Sequence, residues 1–465
     1  MRQRTPLAAI GSLLALAIIA LALLGCSGVD DSASEASILG LSRAPATATP
    51  APLSAPAAPS TPAATALRLL VTPQPVAYGP EDPTFEALPG ARAHFGEHQG
   101  AAYRVEVPQR WNGTLVLYLH GYRAYTPSLL VDPPPQRERL IAKGYAWAAS
   151  SYQTNGYAVG VGAEDTRRLA LLFAEKVGEP KRTLLYGTSL GGHVTTYLME
   201  RYPTEFDGAV AECGAVAGVE VLDYFVGWTI LASHLTGVAE GRTNAPERYE
   251  SAIAAMDAAL GPVKSPTLAG RRFESVISEL TGGRRPWRRE GFEQARSWNF
   301  SLILDALRHG EAAASAATNQ DDRYNIAPGL GLTDDELNRA VPRLAPAPGV
   351  RNGSRDPALA PMTGRIERPY LTIHGTGDVL VPISQEQVYR RAVEAAGREH
   401  LLVQRAIRRP GHCNFSPAEQ ARAFDDLARW VETGVRPPGD DITGDLMDAG
   451  LAFTEPPLEG DPGTP

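Results

Sequence analysis

Short apolar runs alternate with helical patterns on both sides of a long central insertion. Residues Thr114–Leu119 form a nearly unbroken apolar run, which is typical of a parallel strand buried on both faces. Residues Ala163–Val177 instead carry their large apolar side chains at helical spacing. The same patterns predict further strands at Ala102–Val107, Tyr145–Ser151, Thr183–Tyr186, Ala209–Glu212, Tyr370–Ile373 and Leu401–Ile407. They predict further helices at Val194–Tyr202, Ser384–Ala396 and Pro417–Thr433.

This alternation predicts an α/β fold with a mostly parallel sheet and helices on both of its faces. The alternation stops between residues 218 and 368, where no apolar run is followed by a crossover helix. We therefore expect a largely helical insertion there. Its predicted helices are Val219–Leu235, Tyr249–Leu260, Phe273–Leu280, Phe292–Arg308 and Asp334–Val341.

The first residues have the pattern of an export signal. Positive residues in Met1–Arg4 precede an apolar stretch, Leu7–Leu24, and a small residue at Gly25. The sequence Leu23–Cys26 resembles a bacterial lipobox, which implies cleavage before Cys26 and a lipid on its sulfur. An uncleaved membrane anchor is the alternative, since the apolar stretch is nearly long enough to span a bilayer. Both interpretations place the protein in the cell envelope, tethered to a membrane.

Composition divides the chain further. A stretch rich in Ala, Pro, Ser and Thr follows Cys26 and is predicted to be an extended tether. The remainder resembles an ordinary globular protein, in a chain that is 43% hydrophobic and 21% charged. The formal net charge of −8, with no basic run, argues against nucleic acid as a partner. The predicted divisions are signal peptide 1–25, tether 26–66, core 67–217 and 369–440, insertion 218–368, and C-terminal tail 441–465.

A glycine-flanked serine follows one of the predicted strands. The sequence Leu184–His193 runs from an apolar strand through Gly187-Thr188-Ser189-Leu190-Gly191 into a helical pattern. It resembles the nucleophile elbow of the α/β-hydrolase superfamily, a turn so tight that the residues two positions from the serine must be glycine. The resemblance implies that Ser189 is a nucleophile held at the sheet edge and that residues 218–368 form a cap over it.

Further motifs of that superfamily follow other predicted strands. After Thr114–Leu119, His120-Gly121-Tyr122 begins the loop that supplies an oxyanion donor in α/β-hydrolases. The resemblance therefore implies that the backbone N–H groups of Tyr122 and Leu190 form an oxyanion hole. His120 as catalytic base is the alternative, although α/β-hydrolases place a structural histidine so early in the chain.

The triad acid and base are expected after the last two predicted strands. Tyr370–Ile373 is followed by His374-Gly375-Thr376-Gly377-Asp378-Val379, a pattern that α/β-hydrolases show around the acid, and His374 belongs to it as a turn residue. Gly411-His412 follows the final strand, where this fold places the base. The resemblance therefore assigns Asp378 and His412, and the order Ser189, Asp378, His412 is that of the superfamily. Asp223 and Glu212 are the alternative acids.

These residue types predict a carboxylic-ester hydrolase that works through an acyl-serine, with a small-molecule or polymeric ester as substrate. A serine peptidase of the prolyl-oligopeptidase type, acting on short peptides, is the alternative enzyme. A non-catalytic surface protein on a hydrolase scaffold is the alternative from another class. Acidic pairs at Asp321-Asp322 and Asp334-Asp335 lack the spacing of a calcium loop, and we expect neither metal nor cofactor.

The remaining cysteines form an even pair once Cys26 is lipidated. Cys213 and Cys413 lie at the ends of two predicted strands that open on the same sheet edge, so we expect a disulfide, with two separate thiols as the alternative. The pair His412-Cys413 also resembles tannases and feruloyl esterases, although Thr188, not cysteine, precedes the serine.

In the insertion, aromatic residues are predicted either to line an apolar cleft or to form the cap's own core: Tyr224, Phe225, Trp228, Trp287, Trp298 and Phe300.

Overall fold

The computed structural model describes residues 65–66, 76–239, 246–308, 312–354 and 356–461. The predicted signal peptide, Cys26 and almost all of the predicted tether lie outside the described residues. Everything described belongs to one of the two units into which the chain divides, Pro62–Pro465. In the part of the chain that is described, no helix has both the length and the apolar character needed to cross a membrane.

Among the described residues, eight strands form the central sheet. They are β1 (Ala91–His98), β2 (Ala101–Pro108), β3 (Thr114–Leu119), β4 (Ala146–Ser150), β5 (Arg182–Thr188), β6 (Gly208–Glu212), β7 (Tyr370–Gly377) and β8 (Leu402–Pro410). Their order across the sheet is β8-β7-β6-β5-β3-β4-β2-β1. Strands β3 to β8 are mutually parallel, whereas β2 pairs antiparallel with both β4 and β1. The predicted mostly parallel sheet is therefore confirmed.

Helices cover both faces of this sheet. They are α1 (Arg137–Ala142), α2 (Val159–Lys176), α3 (Leu190–Arg201), and, after the insertion, Ser384–Ala395 and Pro417–Thr433. Along β3, Leu115 and Leu117 pack with α2 and α3, while Val116 and Tyr118 face the opposite core, which contains α1 and Pro417–Thr433. Burial on both faces explains why the β3 sequence is apolar at nearly every position.

The insertion between β6 and β7, which we call the cap, is largely helical in its described residues, as predicted. Its helices are α4 (Glu220–Thr236), α5 (Pro246–Leu260), α6 (Leu268–Leu280), α7 (Arg288–Arg308) and α8 (Asp334–Ala340). The last two helices of the chain are accordingly α9 (Ser384–Ala395) and α10 (Pro417–Thr433). The cap has a separate apolar core around the fully buried Trp228, whose ring centroid lies 4.9 Å from that of Phe273.

The segment that follows α10 covers the β8 edge of the sheet. Asp440 accepts the backbone N–H of Ala406 at 2.8 Å, and the Thr454 hydroxyl accepts that of Arg408 at 2.8 Å. Asp461 pairs with the buried Arg408 guanidinium at 2.6 Å. The exposed edge of a sheet can pair with another chain. These contacts occupy backbone N–H groups of β8 and so protect that edge.

Two elements of the core have no counterpart among the sequence predictions. Strand β1 lies at the outer edge of the sheet, and its residues alternate irregularly between half-buried and exposed. Gly96 also interrupts the apolar pattern of this strand. Helix α1 has six residues, too few to show a helical period.

Candidate active site

Ser189 occupies a strained turn between β5 and α3. Its backbone has φ 57° and ψ −119°, a conformation that residues with a side chain rarely adopt. A Cβ on Gly187 would lie 2.3 Å from the Gly191 carbonyl oxygen, and one on Gly191 would lie 2.0 Å from the Leu119 carbonyl oxygen. Glycine is therefore required on both sides of the serine, as the sequence pattern implied, and the turn presents the Ser189 hydroxyl at the edge of the sheet.

The structure brings the three predicted triad residues together. The Ser189 hydroxyl Oγ lies 2.8 Å from Nε2 of His412, and the other ring nitrogen of His412, Nδ1, lies 2.6 Å from Oδ2 of Asp378. His412 follows β8, and Asp378 follows β7, so the carboxyl ends of three strands supply the three groups. This arrangement can move a proton from the serine to the imidazole while a carboxylate balances the charge that forms there.

Asp378 is fully buried and held from two sides. While Oδ2 faces His412, Oδ1 accepts the backbone N–H groups of Leu380 and Val381, each at 3.0 Å. These two donors fix which carboxylate oxygen points to the imidazole.

The alternative acids have other partners. Asp223 forms a salt bridge with Arg351 at 2.7 Å. Glu212 accepts hydrogen bonds from the Tyr186 hydroxyl at 2.6 Å and from the side-chain amide of Gln420 at 2.7 Å. Burial raises the pKa of Glu212 to about 7, against the lowering effect of these two donors. Asp223 and Glu212 are therefore engaged with other groups, and Asp378 is the carboxylate that hydrogen-bonds to the imidazole of His412.

His120 has a structural environment. Its ring stacks on Tyr152 with centroids 4.0 Å apart, and its nitrogens face the carbonyl oxygens of Gly121 and Ser151 at 2.7 and 3.2 Å. Burial, followed by the positive charge of Arg123, lowers the pKa of His120 to about 4. The ring therefore supports the loop after β3.

That loop approaches the nucleophile closely. A Cβ on Gly121 would lie 3.2 Å from Cβ of Ser189, closer than an ordinary van der Waals contact, so a side chain there would press on the serine. Tyr122 and Leu190, the expected oxyanion donors, both line the space beside Ser189, and Leu190 is the first residue of α3. Helix N-termini favour negative charge because their first N–H groups lack partners within the helix.

A disulfide joins the loop that carries His412 to the sheet. Cys213, directly after β6, is bonded to Cys413, which follows His412, and the expected pairing is confirmed. Both cysteines have positive φ, 48° and 55°. The backbone N–H of Cys213 also donates to the Ile373 carbonyl of β7 at 2.9 Å. The loop that carries the imidazole is therefore covalently attached to the centre of the sheet.

A cavity of about 330 Å³ opens beside Ser189 and His412. The described residues that line it include no charged side chain, and most are aliphatic or aromatic. Phe225 and Trp298 contribute to this lining, and Trp298 remains 60% exposed. The other predicted aromatic candidates lie elsewhere: Tyr224, Trp228 and Phe300 are in the cap core, and Trp287 packs against the acid turn at Gly377. The remaining cap residues of the lining are Val221, Leu222, Val226, Leu302, Ile303, Ala306, Ala314 and Ala317.

The cap also holds the turn that carries the acid, a contact that the sequence did not indicate. A Cβ on Gly291 would lie 1.7 Å from the Gly377 carbonyl oxygen, so α7 touches the backbone of the turn. The buried Arg285 donates through Nε to the Thr376 carbonyl at 2.7 Å. Its other donors reach the Gly283 carbonyl at 2.8 Å and the Thr281 hydroxyl at 2.8 Å. In the sequence, Arg285 belongs to one of two adjacent arginine pairs, Arg284-Arg285 and Arg288-Arg289, and arginines are mostly exposed, so nothing in the sequence indicated this role.

No protein-family model matches the chain. The chain is 25% identical over 403 residues to the o-phthalyl amidase of Xanthobacter agilis, a match that covers 73% of this chain and 86% of the relative.

Among solved structures, feruloyl esterase B from Aspergillus oryzae is similar with a TM-score of 0.46 and 14% identity, over 76% of this chain and 89% of that one. An acylaminoacyl peptidase from Pyrococcus horikoshii has a TM-score of 0.38 and 9% identity, over 76% of this chain and 44% of that one. The sheet order, with Ser189 in the turn after β5, Asp378 after β7 and His412 after β8, is itself decisive: the chain has the α/β-hydrolase fold.

Proposed function

We propose that the protein is a serine hydrolase that cleaves uncharged carboxylic esters through an acyl-serine intermediate. In this proposal Ser189 is the nucleophile, His412 the general base and Asp378 the group that orients the base. The observation that carries the proposal is the continuous hydrogen-bond chain from the Ser189 hydroxyl through His412 to the buried Asp378, beside an apolar cavity.

Acylation begins with the serine hydroxyl, a weak nucleophile at neutral pH unless a base takes its proton. Ser189 Oγ attacks the ester carbonyl carbon while Nε2 of His412 receives the hydroxyl proton. Asp378 keeps the second proton on Nδ1 and stabilises the imidazolium. The backbone N–H groups of Leu190 and Tyr122 stabilise the oxyanion, and loss of one such donor typically costs about 3 kcal/mol.

The tetrahedral intermediate then collapses. Its carbon–oxygen bond to the alcohol breaks, His412 gives its proton to the departing alkoxide oxygen, and the acyl group remains on Ser189. In the second half, water attacks the acyl carbon and His412 takes a proton from it. Return of that proton to Ser189 Oγ releases the carboxylic acid and restores the free enzyme.

The cavity supports an apolar acyl group. A charged acid would lose hydration on entering a site whose described lining has no charged partner, and burying an unpaired charge is strongly unfavourable. A peptide substrate adds several amide groups that also require hydrogen-bond partners, so the same lining argues for esters over peptides.

Amides are the second candidate substrate class, because the relative at 25% identity is named as an amidase. The same triad serves both leaving groups, since His412 delivers a proton to nitrogen as well as to oxygen. The comparison that separates the two is a pair of substrates with one acyl group, one an aryl ester and the other the matching anilide.

The first test is labelling with a fluorophosphonate probe. Protein that begins at Ser27, and so keeps the described strand Thr65–Ala66, should be labelled, and the label should map to Ser189. A Ser189→Ala variant is the matched control and should remain unlabelled. Lack of labelling in the unaltered protein would favour the non-catalytic alternative.

The second test is a substrate panel that compares acetyl, hexanoyl, benzoyl and phthalyl esters with the matching anilides and with short peptides. We expect the highest kcat/KM for esters of uncharged acyl groups. A preference for anilides would transfer the proposal to the amidase class, and a preference for peptides would transfer it to the peptidase class.

For its location, we propose an exported protein held in the cell envelope by a lipid on Cys26. The support is the lipobox-like sequence that precedes this residue. A Cys26→Ser protein should be exported but recovered in the soluble fraction, because the atom that takes the lipid is gone. Firm membrane retention of that variant would indicate an uncleaved anchor instead.

A further inference from the structure

A buried pair of ionisable groups lies behind the triad acid. His374 on β7 and Glu386 on α9 are each 1% exposed, and Nδ1 of His374 lies 3.3 Å from Oε1 of Glu386. The other ring nitrogen, Nε2, lies 2.7 Å from the Val381 carbonyl oxygen and 3.7 Å from Oδ2 of Asp378. That carboxylate oxygen is the one that faces His412. Two histidines therefore lie beside the same carboxylate oxygen.

The hydrogen-bond partners restrict where protons reside on His374. A carbonyl oxygen only accepts, so Nε2 must carry a hydrogen to bond with Val381. Nδ1 faces a carboxyl oxygen, so one further proton is on the imidazole or on Glu386. The second carboxyl oxygen of Glu386 accepts from the Thr372 hydroxyl at 2.7 Å and from the Gln404 amide at 2.6 Å. Because two donors already face this carboxyl group, we assign the proton between Oε1 and Nδ1 to His374.

The charges around His374 favour the same assignment of the shared proton. The described charged groups that face His374 are the carboxylates of Glu386 from α9 and Asp378 from the turn after β7, while Arg285 from the cap donates to the Thr376 carbonyl of that turn. Burial alone lowers the pKa of His374, but the hydrogen bond and charge of Glu386, together with the charge of Asp378, raise it above its ordinary value.

His120 provides a contrast within the same protein. Its two nitrogens face carbonyl oxygens, yet no carboxylate hydrogen-bonds to it, and burial with the charge of Arg123 lowers its pKa to about 4. Of His120 and His374, His374 is the one with a carboxylate partner, and such a partner is what stabilises a buried imidazolium.

We propose that His374 is a doubly protonated imidazolium at neutral pH and is a positioning residue for Asp378. This inference rests on the proposed triad. Nε2–H of His374 donates to the carbonyl oxygen of Val381, and the N–H of the same residue donates to Oδ1 of Asp378, so His374 holds the residue that in turn holds the carboxylate. The positive charge of His374 lies beside Oδ2, with Nε2 at 3.7 Å, and so acts on the carboxylate that orients His412, while Glu386 supplies the counter-charge.

Nitrogen NMR of histidine-labelled protein tests the protonation state without any need for activity. An imidazolium has hydrogens on both nitrogens, whereas a neutral ring has one protonated and one bare nitrogen. At about pH 8.5, two units above the ordinary histidine pKa of about 6.5, an imidazolium signal should persist. It should be absent in His374→Gln and in Glu386→Gln. Absence of any such signal from the unaltered protein overturns the proposal.

The pH profile of hydrolysis tests the positioning role. Removal of a positive charge near His412 makes protonation of that base easier, so the acid limb of kcat/KM in His374→Gln should move to higher pH, on the order of one unit. We also expect kcat to fall about tenfold or more while KM changes little, because the loss acts on the orientation of Asp378.

The exposed residue His400 offers a matched control, and His400→Gln should leave both the profile and kcat unchanged. A folded His374→Gln protein whose acid limb does not move overturns the charged role. If that variant does not fold, the NMR result on the unaltered protein still decides. Failure of fluorophosphonate labelling in the unaltered protein would concern the proposed function instead, and it leaves the protonation measurement standing.

Discussion

Replacement of Asp378 by asparagine tests the triad through its hydrogen bonds. Oδ1 of Asp378 accepts two backbone N–H groups, from Leu380 and Val381, each at 3.0 Å. In Asp378→Asn the amide oxygen must keep that position, since the NH₂ group would otherwise face two donors. The NH₂ group then points at Nδ1 of His412, where Oδ2 now lies at 2.6 Å.

The consequence is the wrong tautomer of the base. A nitrogen that accepts from the asparagine NH₂ carries no hydrogen, so the imidazole proton moves to Nε2, which faces the Ser189 hydroxyl at 2.8 Å. In that state His412 has no lone pair with which to take the serine proton. The corresponding exchange in serine proteases lowers kcat about 10⁴-fold, which equals about 5 kcal/mol of activation free energy, and we expect a loss of that order here.

The assay is steady-state hydrolysis of a chromogenic aryl ester, with thermal unfolding as a check on the fold. Because the backbone N–H groups keep their acceptor, the melting temperature of Asp378→Asn should stay close to that of the unaltered protein. Asp445→Asn is the control, since Asp445 is exposed and likewise accepts a backbone N–H, from Met447 at 3.0 Å. A folded Asp378→Asn protein that keeps more than about a tenth of kcat would refute the tautomer argument.

Three further predictions concern the disulfide, a buried carboxyl group and the cavity. Replacement of both Cys213 and Cys413 by serine should destabilise the protein by about 2–5 kcal/mol, because the bond closes a loop of sequence separation 200, and should also lower turnover; calorimetry and the ester assay measure both. Burial raises the pKa of Glu212 to about 7 from 4.5, so the folded state binds its proton more tightly than the unfolded state does. The unaltered protein should therefore lose stability relative to Glu212→Gln as the pH rises from 4.5 to about 7, and urea unfolding at several pH values checks this; a constant difference would contradict it. Trp298→Ala should lower kcat/KM several-fold for hexanoyl and benzoyl esters and little for acetyl esters, whereas Leu171→Ala, at an exposed site, should change none of them; equal losses for all acyl groups would rule out a role in acyl binding.

Patterns that are local in sequence predicted the core of the site. The Ser189 turn, the Asp378 turn and the Gly411-His412 loop each follow an apolar strand, and parallel strands bring their carboxyl ends to one edge. Where the pattern was strongest, in Thr114–Leu119 and Pro417–Thr433, the predicted bounds equal those in the structure.

Contacts between distant segments were not predictable in the same way. The division of the cap aromatics depends on how α4 and α7 are rotated over the sheet: Phe225 reaches the cavity while its neighbour Tyr224 bonds to the Val379 carbonyl. Helical spacing indicates which residues share a face but not which partner that face meets. The pairing of His374 with Glu386 likewise joins a strand to a helix through tertiary packing alone.

The contact of Arg285 and Gly291 with the acid turn limits how far the cap behaves as a separable module. A chimera that exchanges the whole insertion for that of a relative also removes the guanidinium that holds Thr376 and the glycine that fits against Gly377. Grafts intended to alter specificity should therefore be joined on either side of residues 281–291, leaving this short bridge native. The rest of the cap can then be varied while its contacts with the turn that carries Asp378 stay in place.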